Sequence, residues 1–435
     1  MNTYKTLLLL LLLPSFVLAQ QNVPISKAEA LDNVKRQNYS LKIGEQEVHA
    51  AQGDYRQTNA VFFPNITASH TGIVTNNPLN AFGFKLNQAI VTQADFDPNV
   101  LNDPSQVKMF ATKFEFQQPI FNLDGIHQRK AAKAKWNAAK LQLERTEDYI
   151  IFETESAYMQ LQVAHKSVAV LESALEVAKE NLRMAENSQA QGYIQHSDVL
   201  AVQVRVTEVE NQLQNAKSNV RNASEYLAVL MNEDVDGILH PADDLVVLSE
   251  WDIAAELPEA RADIQAMEMA TEAYRQNHKA DKMTILPRLN AFGSYELYDD
   301  EIFKGDASGY LIGAALTWDL FDGSKRYGKS EKSKADFEKA NLELDKYKSE
   351  SQLELNKAKR MFEDAKNNLR LTELALEQSE EALRIRSNRF KEGLEKTSDL
   401  LMAETQLQQK QLEYYQMVFQ HNYALAYLQL LTKTN

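Results

Sequence analysis

Gln191-Gly192-Tyr193-Ile194-Gln195-His196-Ser197-Asp198-Val199-Leu200 and Glu392-Gly393-Leu394-Glu395-Lys396-Thr397-Ser398-Asp399-Leu400-Leu401 are one turn written twice. Glycine, serine, aspartate and the closing leucine recur at a single offset of 201 residues. Each copy stands between a very long helical pattern and a shorter one. Glycine stops a helix because it enters the left-handed region without a Cβ clash. Ser-Asp then caps the next helix by accepting its free N–H groups. Each copy therefore reads as the tip of a helical hairpin.

Working outward, the chain before the first tip has no proline or glycine from Ile126 to Ala190. That predicts a helix of roughly 65 residues, about 100 Å long at 1.5 Å per residue. Beyond the tip, Val199, Val202, Val206, Val209, Leu213, Ala216, Val220, Ala223, Leu227 and Leu230 fall in alternating steps of three and four, a coiled-coil seam. Upstream, Ser26-Lys27-Ala28-Glu29 reads as a capping box that opens a helix running to about Phe62, before Pro64. The period then changes to two. Ile66, Ala68, His70, Gly72 and Val74 alternate with polar residues, and Phe110, Phe114 and Phe116 share one face of a second strand. Residues 76–106, with Pro78, Pro98 and Pro104, read as a long loop between these strands. The two shorter helices placed end to end match the long one.

The pattern repeats after an acidic connector at about 231–256 that contains Pro241 and Trp251. A helix from Arg261 to Ile285 runs to Pro287, as the first helix runs to Pro64. Leu289, Ala291, Gly293, Tyr295 and Leu297 alternate with Arg288, Asn290, Ser294 and Glu296, and Tyr310, Ile312, Ala314, Leu316, Trp318 and Leu320 alternate with Leu311, Gly313, Ala315, Thr317 and Asp319. The loop between this second pair is about twenty residues shorter than in the first. A second long helix and second tip follow, with Lys410 and His421 where the first seam has valines. The predicted organisation is a signal peptide at 1–19, repeat 1 at 20–230 (strands about 65–118, long helix about 126–190), the connector, and repeat 2 at 257–435 (strands about 288–320, long helix about 324–391). The signal peptide rests on Lys5, the apolar Leu7–Leu13 run and Val17-Leu18-Ala19 before Gln20.

Composition removes several function classes. There is no cysteine, hence no disulfide, thiolate metal site or cysteine nucleophile. A net charge of −14 argues against nucleic acid as a partner. The eight histidines have no metal-ligand spacing, and no acid pair such as Asp299-Asp300 marks a catalytic site. No cofactor is implied. Four amphipathic strands cannot close a barrel, and open strand edges cannot face lipid. Strands of this kind in a membrane require several copies of the chain.

With both tips, Pro119-Ile120-Phe121, Leu320-Phe321-Asp322-Gly323 and the Pro64 and Pro287 boundaries in order, the chain resembles the outer-membrane efflux protein family of TolC-like channels. The resemblance implies an α+β membrane protein in the cell outer membrane. It implies a homotrimer whose four strands per chain form a twelve-stranded β-barrel, continuous with a long α-helical barrel in the periplasm. The implied role is a passive exit duct of a tripartite efflux or type I secretion system, not an enzyme. It would be opened by a periplasmic adaptor and an inner-membrane pump. Carried over by position, Gly192, Ser197, Asp198, Val199 and Leu200 form one adaptor-docking tip. Arg389, Gly393, Ser398, Asp399, Leu400 and Leu401 form the other, and the first repeat has Ser188 where the second has Arg389. Asp198, Glu395 and Asp399 are candidate gate acids, since threefold symmetry brings like charges together. The family's basic residue after the glycine is absent: Glu395 stands there.

Two other readings compete. A soluble periplasmic coiled-coil adaptor or scaffold shares the long hairpins but not strands of the lipid-facing kind. Gly323-Ser324-Lys325-Arg326-Tyr327-Gly328-Lys329-Ser330 matches the P-loop pattern G-x-x-x-x-G-K-S after a strand and before a helix. The preceding strand alternates, however, whereas a parallel nucleotide-binding core strand is apolar on both faces.

Overall fold

A computed structural model describes residues 22–249 and 256–434. The expected signal peptide at 1–19 and Trp251 of the connector lie outside the described residues. In chain order the elements are β1 (Asn22–Ile25), α1 (Lys27–Gln37), α2 (Tyr39–Gln57), β2 (Asn65–Thr75), α3 (Pro78–Asn87), α4 (Pro98–Asn102), β3 (Val107–Phe121) and α5 (Leu123–Ala190). They continue with α6 (His196–Met231), β4 (Ile238–Pro241), α7 (Ala262–Met283), β5 (Arg288–Asp299), β6 (Ala307–Thr317), α8 (Lys325–Lys391) and α9 (Thr397–Thr432). None of the described helices is long and apolar enough to cross a membrane.

The chain folds into two compact units, and each draws on both sequence repeats. Among the described residues, 22–45, 143–249, 256–262 and 348–434 make the first, and 46–142 and 263–347 the second. In the first unit, Leu355, Ala358 and Phe362 of α8 bury against Ala424, Leu425 and Leu428 of α9. Each leucine or phenylalanine of this group stabilises by about 1.5–3 kcal/mol when fully buried. Ile150, Tyr158 and Leu161 of α5 close a second core with Val34 of α1 and Leu227 and Met231 of α6. The connector is tied down in the same unit. Its β4 pairs in parallel with β1, placing Asn22 opposite Ile238. The Tyr158 hydroxyl sits 2.9 Å from Asp243 Oδ2, and Asn422 Nδ2 donates to the Val246 carbonyl at 2.8 Å. Leu245 joins Val163, Leu369 and Val418 in the core.

The first helix departs from its predicted continuity. It breaks at Asn38, whose ψ of 131° leaves the helical region. The Asn38 side chain makes the break stable: Oδ1 accepts from the Ser40 and Leu41 N–H groups at 2.8 and 3.3 Å, and Nδ2 donates to the Leu230 carbonyl at 2.8 Å. At the start of α1, Ser26 Oγ accepts from the Glu29 N–H at 3.2 Å, an ordinary N-cap.

The second unit carries one antiparallel sheet in the order β2-β3-β5-β6. Its register places Ile66 opposite Phe116, Phe116 opposite Gly293, and Gly293 opposite Ile312, with Phe114, Tyr295 and Tyr310 in the next row. These residues form one apolar face, and Ile66, Tyr310, Ile312 and Leu316 are exposed on it. The other face is mixed, carrying Phe292 and Leu311 beside a polar cluster. Lys113 lies 2.8 Å from Glu115 and 3.5 Å from Glu296 on the next strand, and the Tyr298 hydroxyl donates to Glu296. Gly72 and Gly313 lie beneath the rings of Phe110 and Phe292, where an added Cβ would come within 2.8 and 2.7 Å. β2 and β6 are open edges.

Helices anchor the sheet at its proline-marked end. Arg288 at the start of β5 grips the buried Asp124 carboxylate of α5 through Nε at 3.2 Å and Nη2 at 2.6 Å. Trp318 Nε1 donates to the Ile285 carbonyl at 2.9 Å, just after β6 ends. At the other end, the 76–106 excursion is not the irregular loop that its prolines suggested. Pro78 and Pro98 open α3 and α4, where a first-turn proline lacks only an N–H that has no helical partner.

Candidate functional site: the paired helical tips

The two tips have the same backbone hydrogen-bonding scheme, displaced by 201 residues. Gly192 N–H donates to Gln189 O at 2.9 Å and Tyr193 N–H to Ser188 O at 2.9 Å; Gly393 donates to Phe390 O at 3.0 Å and Leu394 to Arg389 O at 2.9 Å. Gly192 and Gly393 have φ of 80° and 70°. Here the left-handed geometry requires glycine, since a Cβ would cost about 1–2 kcal/mol. The turns present Tyr193 and Leu394 to solvent, 78% and 66% exposed.

Helix capping differs from the sequence expectation. Gln195, not Ser197, is the N-cap of α6, and Asp198 reaches back from the third helical position to accept the Gln195 N–H at 3.0 Å. The Asp198 N–H in turn donates to the Gln195 backbone carbonyl at 3.1 Å, so both amides have partners. At the second tip the cap is Lys396 without a side-chain bond, and among the described residues the Asp399 carboxylate has no partner. Ser197 and Ser398 are exposed at the second helical position.

Glu395 is engaged within its own tip. Its carboxylate accepts from Arg389 Nε at 2.8 Å and Arg386 Nη1 at 3.0 Å, and Arg389 Nη2 also reaches the Leu394 carbonyl at 3.2 Å. The Arg389 hydrogen bond, followed by the charges of both arginines, holds the carboxyl below its ordinary pKa. Thus Arg389 and Glu395, which the sequence suggested as docking and gate residues, form a clamp over the turn.

The structure also brings the two tips together. Val199 and Leu400 are both buried at equivalent positions. The next leucines diverge: Leu200 is exposed, whereas Leu401 packs onto Ala185, Val199 and Val202 of the first hairpin. A groove of ≈ 570 Å³ runs between α6 and α9, lined by Val204, Arg205 and Glu208 on one side and Ser398, Met402 and Thr405 on the other.

Further along this seam lies a polar bridge that sequence reading missed. The buried Arg205 donates to Gln408 Oε1, and Gln408 Nε2 donates to Gln212 Oε1 at 2.6 Å. Asn181 of α5 donates to Glu404, whose carboxyl is pushed up by burial against the opposing effects of Asn181 and the Arg205 charge. The available signal was Arg205 next to the apolar seam position Val206. It was obscured because seam periodicity placed Leu407, not Gln408, inward.

The Gly-Lys-Ser segment has no phosphate cradle. Ser324 and Gly323 have φ of 73° and 68°, but α8 begins at Lys325, so Gly328, Lys329 and Ser330 lie within the helix. Lys329 is paired with Asp281 of α7 at 2.8 Å. Among the described residues, no group of three His, Asp or Glu is arranged to hold a metal.

Comparison with known proteins extends over nearly the whole chain. The sequence profile described as outer membrane efflux protein matches residues 30–233 and 254–432. No curated protein matches at a significant level. Among solved structures, the Campylobacter jejuni CmeC outer membrane channel superposes with a TM-score of 0.81 at 16% identity, over 93% of this chain and 85% of that one. The Vibrio cholerae outer membrane protein VceC gives 0.76 at 18% identity, covering 94% and 96%. CusC, described for conformational changes accompanying folding and transmembrane channel formation, gives 0.80 at 12% identity, covering 94% and 92%. At these identities the likeness is one of fold.

Proposed function

The chain belongs to the outer membrane efflux protein family, and from that premise we propose that it is the exit duct of a tripartite efflux or type I secretion system. Membership makes it a passive outer-membrane channel rather than an enzyme. The finer assignment is carried by the four-stranded sheet, which has one apolar exposed face and two open edges. Lipid cannot satisfy the N–H and C=O groups of an open edge, so the edges must pair with other copies. Three copies supply twelve strands, an even number within the range of membrane barrels. The apolar face then meets lipid, and the Lys113–Glu296 face lines the channel.

In this reading the paired tips dock a periplasmic adaptor that links the duct to an inner-membrane pump. Tyr193, Leu200 and Leu394, exposed at the tips, and Met402, which lines the α6–α9 groove, support that role. Asp399, the tip acid without a partner among the described residues, is the strongest candidate for the gate ring, with Asp198 contributing its free oxygen. Glu395 contributes less because two arginines hold it. Cysteine scanning tests docking directly, since the chain has no native cysteine. Cysteines at 192–200 and 393–401 should crosslink to the adaptor in cells, and the chain should sediment with the outer membrane as a heat-sensitive trimer. A detergent-independent, soluble monomer would instead favour the adaptor-like reading.

A further inference from the structure

We propose that the 76–106 excursion is a plug: α3 folds onto the channel face of the sheet, and three copies together close the outer mouth. The proposal rests on the trimeric barrel reading. It begins with strand parity. Val107, Met109 and Ala111 share the face of Lys113, opposite to Phe110, Phe114 and Phe116. Val107 and Met109 are nevertheless buried, and α3 packs against both β3 and β6, the second of them two strands away. A helix that reaches both strands lies across the Lys113 face.

The excursion is internally braced. Lys85 Nζ meets Asp95 Oδ1 at 2.6 Å, while Asp95 Oδ2 accepts from the Thr92 N–H and hydroxyl at 2.7 and 2.9 Å. The Lys85 contact, then the Thr92 bonds, draw the Asp95 carboxyl down to about 2. The Phe82 and Phe96 rings meet edge to face at 5.5 Å. Gln88 Nε2 donates to the Lys108 carbonyl at 2.6 Å, tying the end of α3 to β3.

The helix faces sort accordingly. Ala81 and Gln88, seven residues apart, are buried. On the opposite side Leu79 is 81% exposed and Leu86 is 51% exposed, with Gly83 between them, and Ile90, just beyond the helix, is also 51% exposed. An apolar stripe on a channel-facing helix is matched by the same stripe on neighbouring copies around the axis. The dimensions agree. Twelve strands about 4.8 Å apart and tilted about 40° enclose about 24 Å between backbones. Three helices about 10 Å thick in mutual contact occupy a circle of about 22 Å. Little open cross-section remains, and an apolar constriction resists water and ions.

Single cysteines in the otherwise cysteine-free chain provide the test. Ser294→Cys lies on the Lys113 face and Tyr310→Cys on the apolar face. Whole cells are treated with a bulky, membrane-impermeant maleimide in three backgrounds: the intact excursion, Leu79→Asp/Leu86→Asp/Ile90→Asp, and residues 78–104 replaced by a short Gly-Ser linker. The three aspartates replace side chains exposed in the single chain, so its fold is preserved. Ser294→Cys should be labelled slowly behind the intact excursion and about tenfold faster or more in both altered backgrounds. Equal rates in all three overturn the plug and leave the channel reading standing. If Ser294→Cys stays unlabelled in every background, as Tyr310→Cys should, the barrel reading fails and the plug fails with it.

Discussion

Arg205→Met is the substitution that best tests whether the α6–α9 seam holds the tips closed. Arg205 is buried and donates to Gln408, which passes the chain of bonds to Gln212. Removing the guanidinium leaves the buried Gln408 oxygen without its donor, at a cost of about 1–3 kcal/mol. Methionine fills similar volume and removes a buried charge, which offsets part of the loss. A net weakening of about 2 kcal/mol corresponds to roughly 30-fold in the equilibrium between joined and separated seams. Single-channel recording on reconstituted trimers reads this as a higher open fraction, and thermal unfolding as a lower Tm. The double variant Arg205→Met/Gln408→Leu provides the control. It replaces both buried partners with apolar groups, which is nearly neutral for a matched pair, while the exposed Gln212 returns to water. The double variant should therefore recover most of the loss, giving a favourable coupling energy. Additive losses, or an unchanged open fraction in the single variant, would refute the seam as a latch.

Asn38→Ala should lower stability by about 2 kcal/mol, because it removes an N-cap and strands the Leu230 carbonyl; Asn38→Asp, which keeps the cap oxygen, should lose about half as much in thermal unfolding. Asp243 has a carboxyl held below its ordinary value by the Lys27 backbone N–H and then by the Tyr158 hydroxyl. A depressed carboxylate stabilises the fold above its unfolded pKa of about 3.9 and loses that contribution as pH falls through the lower folded value. Asp243→Asn should therefore flatten the acid limb of unfolding below about pH 4, followed by far-UV circular dichroism, and an unchanged limb would assign it to other groups. Asp399→Asn should reduce cation preference in single-channel reversal potentials, and identical selectivity removes Asp399 from the gate. Gly393→Ala should cost about 1–2 kcal/mol at the tip through φ alone, since an added Cβ meets nothing within 4 Å.

Much of the fold was legible because its signals are local. The 201-residue offset, the proline boundaries and the switch from helical to alternating period each depend on a few neighbouring residues. The alternation marks the four strands and, within each repeat, the two that a loop joins; the β3–β5 pairing, which joins the two repeats and places Phe116 beside Gly293 and Phe114 beside Tyr295, shows only in the tertiary structure. Local signals failed where a side chain acted at long range. The break at Asn38 is invisible in the helical period because its amide bonds to Leu230, 192 residues away. Pro78, Pro98 and Pro104 suggested an irregular loop, yet two of them open helices, because proline is equally suited to a turn and to a first helical turn.

At the tips the division is sharpest. The sequence by itself determined that two equivalent turns exist, that glycine ends each long helix, and that an arginine and a glutamate distinguish the second. Backbone conformational preference is enough for that. Only the tertiary structure decided that Leu401 is covered while Leu200 is exposed, that Arg389 and Glu395 clamp each other, and that Arg205 reaches Gln408 across the seam. Two copies of one local pattern become unequal when each meets a different neighbour. Burial, charge pairing and hydrogen-bond satisfaction depend on that neighbour, and no offset along the chain encodes it.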